Sequence, residues 1–158
     1  MFKRVRLLFG LLVLMLATTG MAAAAPRVFI AEADGTQEVP AVETSAQGAA
    51  VFVLSDDGES LGYRVWVIGL EDVRFAHIHL APEGANGPVV AFLRRDRVDG
   101  PVRGKYAEGI LTAADLVGPL AGKSVSDLVA EIKAGNTYIN IHTDAFPPGE
   151  LRGQIRVR

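Results

Sequence analysis

No cysteine occurs among the 158 residues. That absence removes a disulfide framework, a thiolate nucleophile, a cysteine-ligated zinc and an iron–sulfur cluster together. Aromatic residues are only 7% of the chain, too few for a platform on which nucleic-acid bases stack. Basic residues are not in excess either. Of the 16 Lys and Arg, three (Lys3, Arg4 and Arg6) lie in the first six residues, before any acid; without them 13 face 18 Asp and Glu, a net charge of −5. A surface of that sign excludes nucleic acid as the partner, because phosphate contacts need a positive patch. The serines Ser45, Ser55, Ser60, Ser124 and Ser126 stand in turns or before a helix, without a nucleophile elbow. No glycine-rich phosphate cradle opens a helix. Histidine is scarce, with three in all.

What is present begins with an address. Met1 to Arg6 is basic, residues 7–16 (LLFGLLVLML) are apolar, and Thr18-Thr19-Gly20 leads into Ala22-Ala23-Ala24-Ala25. This is the pattern of a secretory signal peptide, and a run of ten is too short to span a bilayer, which takes about 20 residues. Pro26 disfavours a cut directly before it, so cleavage is expected after Ala24. Residues 1–24 are therefore read as a signal peptide and 25–158 as one β domain, exported to the periplasm or the extracellular space, with no membrane span after processing. With no cysteine beyond the apolar run there is no lipid attachment, and the exported domain must be held by its core alone.

Within the domain, alternation of apolar and polar residues recurs between turn signals. Strands are expected over residues 28–33, 48–54, 61–68, 74–80, 89–93, 102–111, 137–143 and 151–157, with Asp56-Asp57-Gly58 as a hairpin turn. Eight short, mostly antiparallel strands imply an all-β fold, a β-sandwich or Greek-key barrel. One helical insertion interrupts them near 112–135. Thr112 with Asp115, and Ser124 with Asp127, fit helix-start signatures. Val125, Leu128, Val129 and Ile132 form a single apolar stripe, and Gly135-Asn136 a left-handed stop.

All three histidines fall on strands. His77 and His79 are two residues apart, so their imidazoles project to one face while Ala76, Ile78 and Leu80 project to the other. In Tyr138-Ile139-Asn140-Ile141-His142 the two isoleucines take one face, and Tyr138, Asn140 and His142 take the other. The aliphatic faces are the natural core, which puts every histidine on the outer face or beneath a loop. Two same-face imidazoles can converge on an ion about 2.0–2.1 Å from each nitrogen, and a third from a second strand completes an open three-nitrogen site suited to zinc or copper. His77, His79 and His142 are the candidate ligands of one such ion. Asp144, two residues past His142, and Glu150 and Arg152, on one face of the last strand, are candidates for orienting a ligand imidazole. The plainer reading of Glu150 and Arg152 is a surface ion pair.

Five motifs occur in order: Thr36-Gln37-Glu38-Val39-Pro40, Ala76-His77-Ile78-His79, Gly87-Pro88-Val89-Val90, Asn140-Ile141-His142-Thr143 and Gly149-Glu150-Leu151-Arg152-Gly153-Gln154. Together they resemble the CHRD domain, named for chordin, over residues 28–157. The resemblance implies an immunoglobulin-like β-barrel distantly similar to copper/zinc superoxide dismutases, in a family whose molecular role is mostly unassigned. Ala76-His77-Ile78-His79 resembles the dismutase His-x-His strand, and His142 a later copper ligand. A copper–zinc pair needs about six imidazoles and an aspartate, so a dinuclear dismutase is excluded by counting. The leading expectation is an exported, non-enzymatic binding domain of the cell envelope or exterior, with an envelope or extracellular protein as its partner and one copper or zinc ion on the three histidines. A mononuclear copper redox enzyme is the second reading, and a metal-free structural or adhesion module the third.

Overall fold

The computed structural model describes residues 27–158; the expected signal peptide and its cleavage site lie outside them. Eight strands follow in order: β1 (Val28–Asp34), β2 (Gln47–Leu54), β3 (Leu61–Leu80), β4 (Val89–Arg94), β5 (Val98–Leu111), β6 (Thr137–Thr143), β7 (Leu151–Gln154) and β8 (Arg156–Val157), with one α-helix, α1 (Val125–Lys133), before β6. The pairings are antiparallel. Hydrogen bonding runs β2-β1-β7-β6-β3 and returns from β3 to β2, closing a five-strand barrel; β4 and β5 extend β3 outside the ring, and β8 lies on β1. The expected all-β class is correct, and of its two forms the barrel is the one adopted.

Period-two alternation turns one face of each strand inward. Phe29, Ala31 and Ala33 of β1 meet Ala50 and Phe52 of β2, Val65 and Val67 of β3, and Ile139 and Ile141 of β6 in one continuous core. Two strand expectations need correction. Residues 61–68 and 74–80 are not separate strands but halves of β3. Gly69 (φ +80°) and Asp72 (φ +48°) let the chain bend there, and β5 stays paired across the bend through register shifts. Asp72 is fixed in that conformation by accepting from the Gly100 N–H at 2.9 Å. Conversely, residues 151–157 divide into β7, which pairs with β6 and β1, and β8, which pairs with β1 alone; the buried Ile155 lies between them and still donates its N–H to the Thr137 carbonyl.

The insertion is built as its signals predict, with one change. Ser124 and Asp127 form a reciprocal capping box at the start of α1, and Val125, Leu128, Val129 and Ile132 are buried in the barrel's own core. Gly135 (φ +76°) ends the helix. Thr112 and Asp115 also cap each other, but what they open is a single 3-10 turn, Ala113–Asp115. A second such turn, Gly118–Leu120, begins at Gly118 (φ +56°) with Pro119 inside it, so no α-helical run forms before Ser124.

The positioning of the site follows from the outer surface of the barrel. On β3, β6 and β7 the faces turned away from the core carry Phe75, His77 and His79, then Tyr138, Asn140 and His142, then Arg152 and Gln154, with Glu150 directly before β7. The strand registers set these side by side, His77 opposite Asn140 and Asn140 opposite Arg152. Residues 35–46, 81–88 and 144–149 fold over this face, so β6 is buried at all seven of its positions.

Candidate metal centre

The strand pattern correctly puts His77, His79 and His142 on the face away from the core, and the loops then bury it. His77 and His142 are each 6% exposed and His79 is partly exposed. One ligand nitrogen from each ring lies within 4.8 Å of the other two. His77 Nδ1 and His79 Nε2 are 3.1 Å apart. Two nitrogens bound at about 2.0–2.1 Å to one ion at angles of 90–110° stand about 2.9–3.4 Å apart, so this pair is already at ligand spacing. At those angles a pair as wide as 4.8 Å closes by about 1.4–1.9 Å to share the ion.

Backbone carbonyls fix two of the tautomers. His79 Nδ1 is 2.8 Å from the Gly87 oxygen, and His142 Nδ1 is 2.9 Å from the Pro147 oxygen. A carbonyl only accepts, so both Nδ1 atoms carry the proton and both Nε2 atoms keep a lone pair. His77 then donates Nδ1–H to His79 Nε2. The Nε2 of His142 is buried without a hydrogen-bond partner, an arrangement that costs about 1–3 kcal/mol when nothing compensates. Burial holds all three rings neutral. Desolvation, reinforced by His142, His79 and Arg95, takes the His77 pKa down to about 3; desolvation also lowers His79 and His142, against the opposing pull of their carbonyl partners. Phe75 and Phe92 wall the rings, with centroids 4.8–5.1 Å from His77 and His142.

The three further residues singled out from the sequence divide. Asp144 does not face the cluster: it pairs at the surface with Arg74 at 2.6 Å and with Arg97 at 2.6 and 2.7 Å, and Arg97 chiefly, then Arg74, holds its carboxyl well below the usual carboxylate range. Glu150 and Arg152 are not a surface ion pair; they are 6% and 1% exposed and bond to different partners. Glu150 accepts from Thr143 Oγ1 at 2.6 Å and Thr44 Oγ1 at 2.8 Å, and Thr143 Oγ1 in turn accepts from the Phe146 N–H at 3.2 Å. That chain holds the loop whose Pro147 carbonyl orients His142. Arg152 donates to the Ala85 carbonyl at 2.8 Å, the Pro82 carbonyl at 3.2 Å and Asn86 Oδ1 at 3.3 Å. It thereby anchors the loop whose Gly87 carbonyl orients His79. Its guanidinium also lies 3.6 Å from the centre of the Tyr138 ring, which stacks on His79 at 4.9 Å and 7°.

Two residues of this layer were not singled out as site residues. Glu38 reaches in from the first covering loop to accept from Asn140 Nδ2 at 2.6 Å; burial raises its pKa, opposed by Asn140 and Arg152. Asn140 Oδ1 is buried without a partner. The signal for Glu38 was its place in Thr36-Gln37-Glu38-Val39-Pro40, and for Asn140 its sharing a face with His142.

The sequence model of the CHRD domain matches residues 29–155, nearly all of the described chain. The chain belongs to the CHRD domain family. CHRD domains are typically extracellular, and the family is not a known enzyme family; membership supports a binding-type domain. No curated protein and no solved structure matches this CHRD domain. No helix among its described residues is long and apolar enough to cross a membrane.

Proposed function

We propose that this CHRD domain is an exported, non-catalytic binding domain that takes up one transition-metal ion, copper or zinc, on His77, His79 and His142. The observation that carries the reading is the set of lone pairs. The Nε2 atoms of His79 and His142 are left as acceptors by carbonyls behind the rings, and that of His142 is buried with nothing to accept from. Imidazoles oriented from behind by a backbone carbonyl are the usual construction of a protein metal site. An ion at the cluster replaces the hydrogen bond between His77 and His79: the His77 proton shifts from Nδ1 to Nε2 of the same ring, which frees the Nδ1 lone pair and leaves the imidazole neutral. Because burial keeps the rings neutral, the ligands need no deprotonation near pH 7.

Export is supported by the leader pattern of residues 1–24 and by the usual setting of the family. The test is calorimetric titration of chelator-stripped mature protein with zinc and with copper(II). One ion per chain is expected, with affinity reduced at least a hundredfold in His142→Ala. No binding heat, or equal affinity in His77→Ala, contradicts the proposal.

A further inference from the structure

A pocket of about 290 Å³ opens beside the histidine cluster, between the three loops that cover it. Its walls include Val39, Pro40, Val42 and Phe146, with His79 on the strand side and the Glu38 carboxyl among the few polar groups. Four larger hollows on the surface have no histidine in their walls. His79 is also the one cluster member that is not fully buried, so the pocket meets the cluster at the ring that can be reached.

Three protein nitrogens leave a zinc or copper ion with a position to fill. What fills it from this side must suit the pocket. Neither lysine nor arginine lines it, while Glu38 does; apart from the ion itself, an anion entering from this side meets no cationic side chain and passes an acid. The guanidinium of Arg152 lies behind the Tyr138 ring, bonded to the loop carbonyls. The rest of the wall is mostly aliphatic, proline and aromatic surface with the neutral amides Asn86 and Asn140 in it, which favours an uncharged body.

We propose that this pocket seats a small neutral nitrogen heterocycle whose lone pair completes the coordination of an ion held by His77, His79 and His142. The proposal rests on the metal reading above, and it fixes the chemistry that the open side of the site accepts: neutral nitrogen bases in preference to anions.

The experiment uses mature protein loaded with cobalt(II), whose visible absorption reports its ligands. Cobalt stoichiometry is measured first. Absence of uptake overturns the metal reading, and this proposal with it. Imidazole is then the probe, with sodium azide as the anionic comparison. The expected result is a saturable change in the cobalt bands with imidazole, and affinity for azide at least tenfold weaker. Val42→Phe, which fills the pocket from the far wall, should keep the cobalt stoichiometry and lose at least tenfold in imidazole affinity. In the wild-type protein the methyl resonances of Val39 and Val42 should shift as imidazole is added, which tests the location without any substitution. Bands indifferent to imidazole, azide binding as tightly as imidazole, unmoved valine methyls, or a loaded Val42→Phe protein that binds imidazole like wild type would each overturn the proposal.

Discussion

Acid should destabilise the metal-free domain through its buried histidines, and His77 makes the effect measurable. Its ring is 6% exposed, packed 4.9 Å from Phe75, 5.1 Å from Phe92 and 4.7 Å from His142. Burial first, then the neighbouring His142, His79 and Arg95, takes its pKa from 6.5 down to about 3. Between those values the unfolded chain binds a proton at this residue and the folded chain does not. Stability is therefore full above pH 6.5 and falls with pH, by about 1.4 kcal/mol per unit for one residue. Two units below 6.5 the loss from His77 is at most about 2.7 kcal/mol. His79 and His142, also lowered by burial, act in the same sense. Glu38, raised by burial, acts oppositely, because its folded form takes up a proton more readily than the unfolded one. Comparison with His77→Gln cancels Glu38. Urea unfolding with chelator present, at pH 7.5 and 4.5, should show wild type losing more stability than the variant, by up to about 2.7 kcal/mol. Equal losses would refute the placing of His77 in a dry, neutral cluster.

Four further substitutions test the supports of the site and the fold. Arg152→Met keeps the apolar stem but removes three donated bonds and the contact with Tyr138; the expected cost is about 3 kcal/mol or more, with faster amide exchange at Gly87, whose N–H donates to the Tyr138 hydroxyl. A cost below about 1 kcal/mol would show that the loop is held otherwise. At Gly149 (φ +138°) a Cβ would stand 2.5 Å from Glu38 Oε1 and 2.6 Å from Asn140 Oδ1, whereas at Gly84 (φ +77°) it would meet nothing within 4 Å. Gly84→Ala should cost about 1–2 kcal/mol from its backbone alone and Gly149→Ala clearly more in the same denaturation assay; the reverse order would contradict the packing of Glu38 on Asn140. Ser124→Ala should cost about 1 kcal/mol in thermal or urea unfolding by removing the α1 cap, and a change near zero would mean that the cap does not act in the folded chain.

Local chemistry made much of this molecule readable. The stripe Val125, Leu128, Val129 and Ile132, the Ser124–Asp127 cap and the Gly135 stop are short-range signals, and α1 follows them. Alternation likewise placed Ile139 and Ile141 in the core and His77, His79 and His142 on the opposite face. The halves of β3 read as two strands because Gly69 and Asp72 look like a break; that pairing with β5 persists through a bend depends on contacts some thirty residues away. The burial of the histidine face was illegible for a similar reason. Period-two patterning distinguishes one side of a strand from the other, but it carries no information about loops folding back from residues 35–46, 81–88 and 144–149. Hence Glu150 and Arg152, which look like an exposed pair by spacing alone, are among the most buried polar residues in the chain. Asp144, equally plausible beside His142, is drawn outward by Arg74 and Arg97, and Arg97 stands 47 residues away in the sequence.

The central claim is that three imidazoles, two from β3 and one from β6, hold a single ion. Its most direct test is the copper and zinc content of the protein purified from its native compartment without added metal, beside His77→Ala and His142→Ala prepared the same way. The account predicts close to one ion per chain in the wild type and less than a tenth of that in either variant. Metal-free wild type, or equal content in wild type and variants, would contradict it.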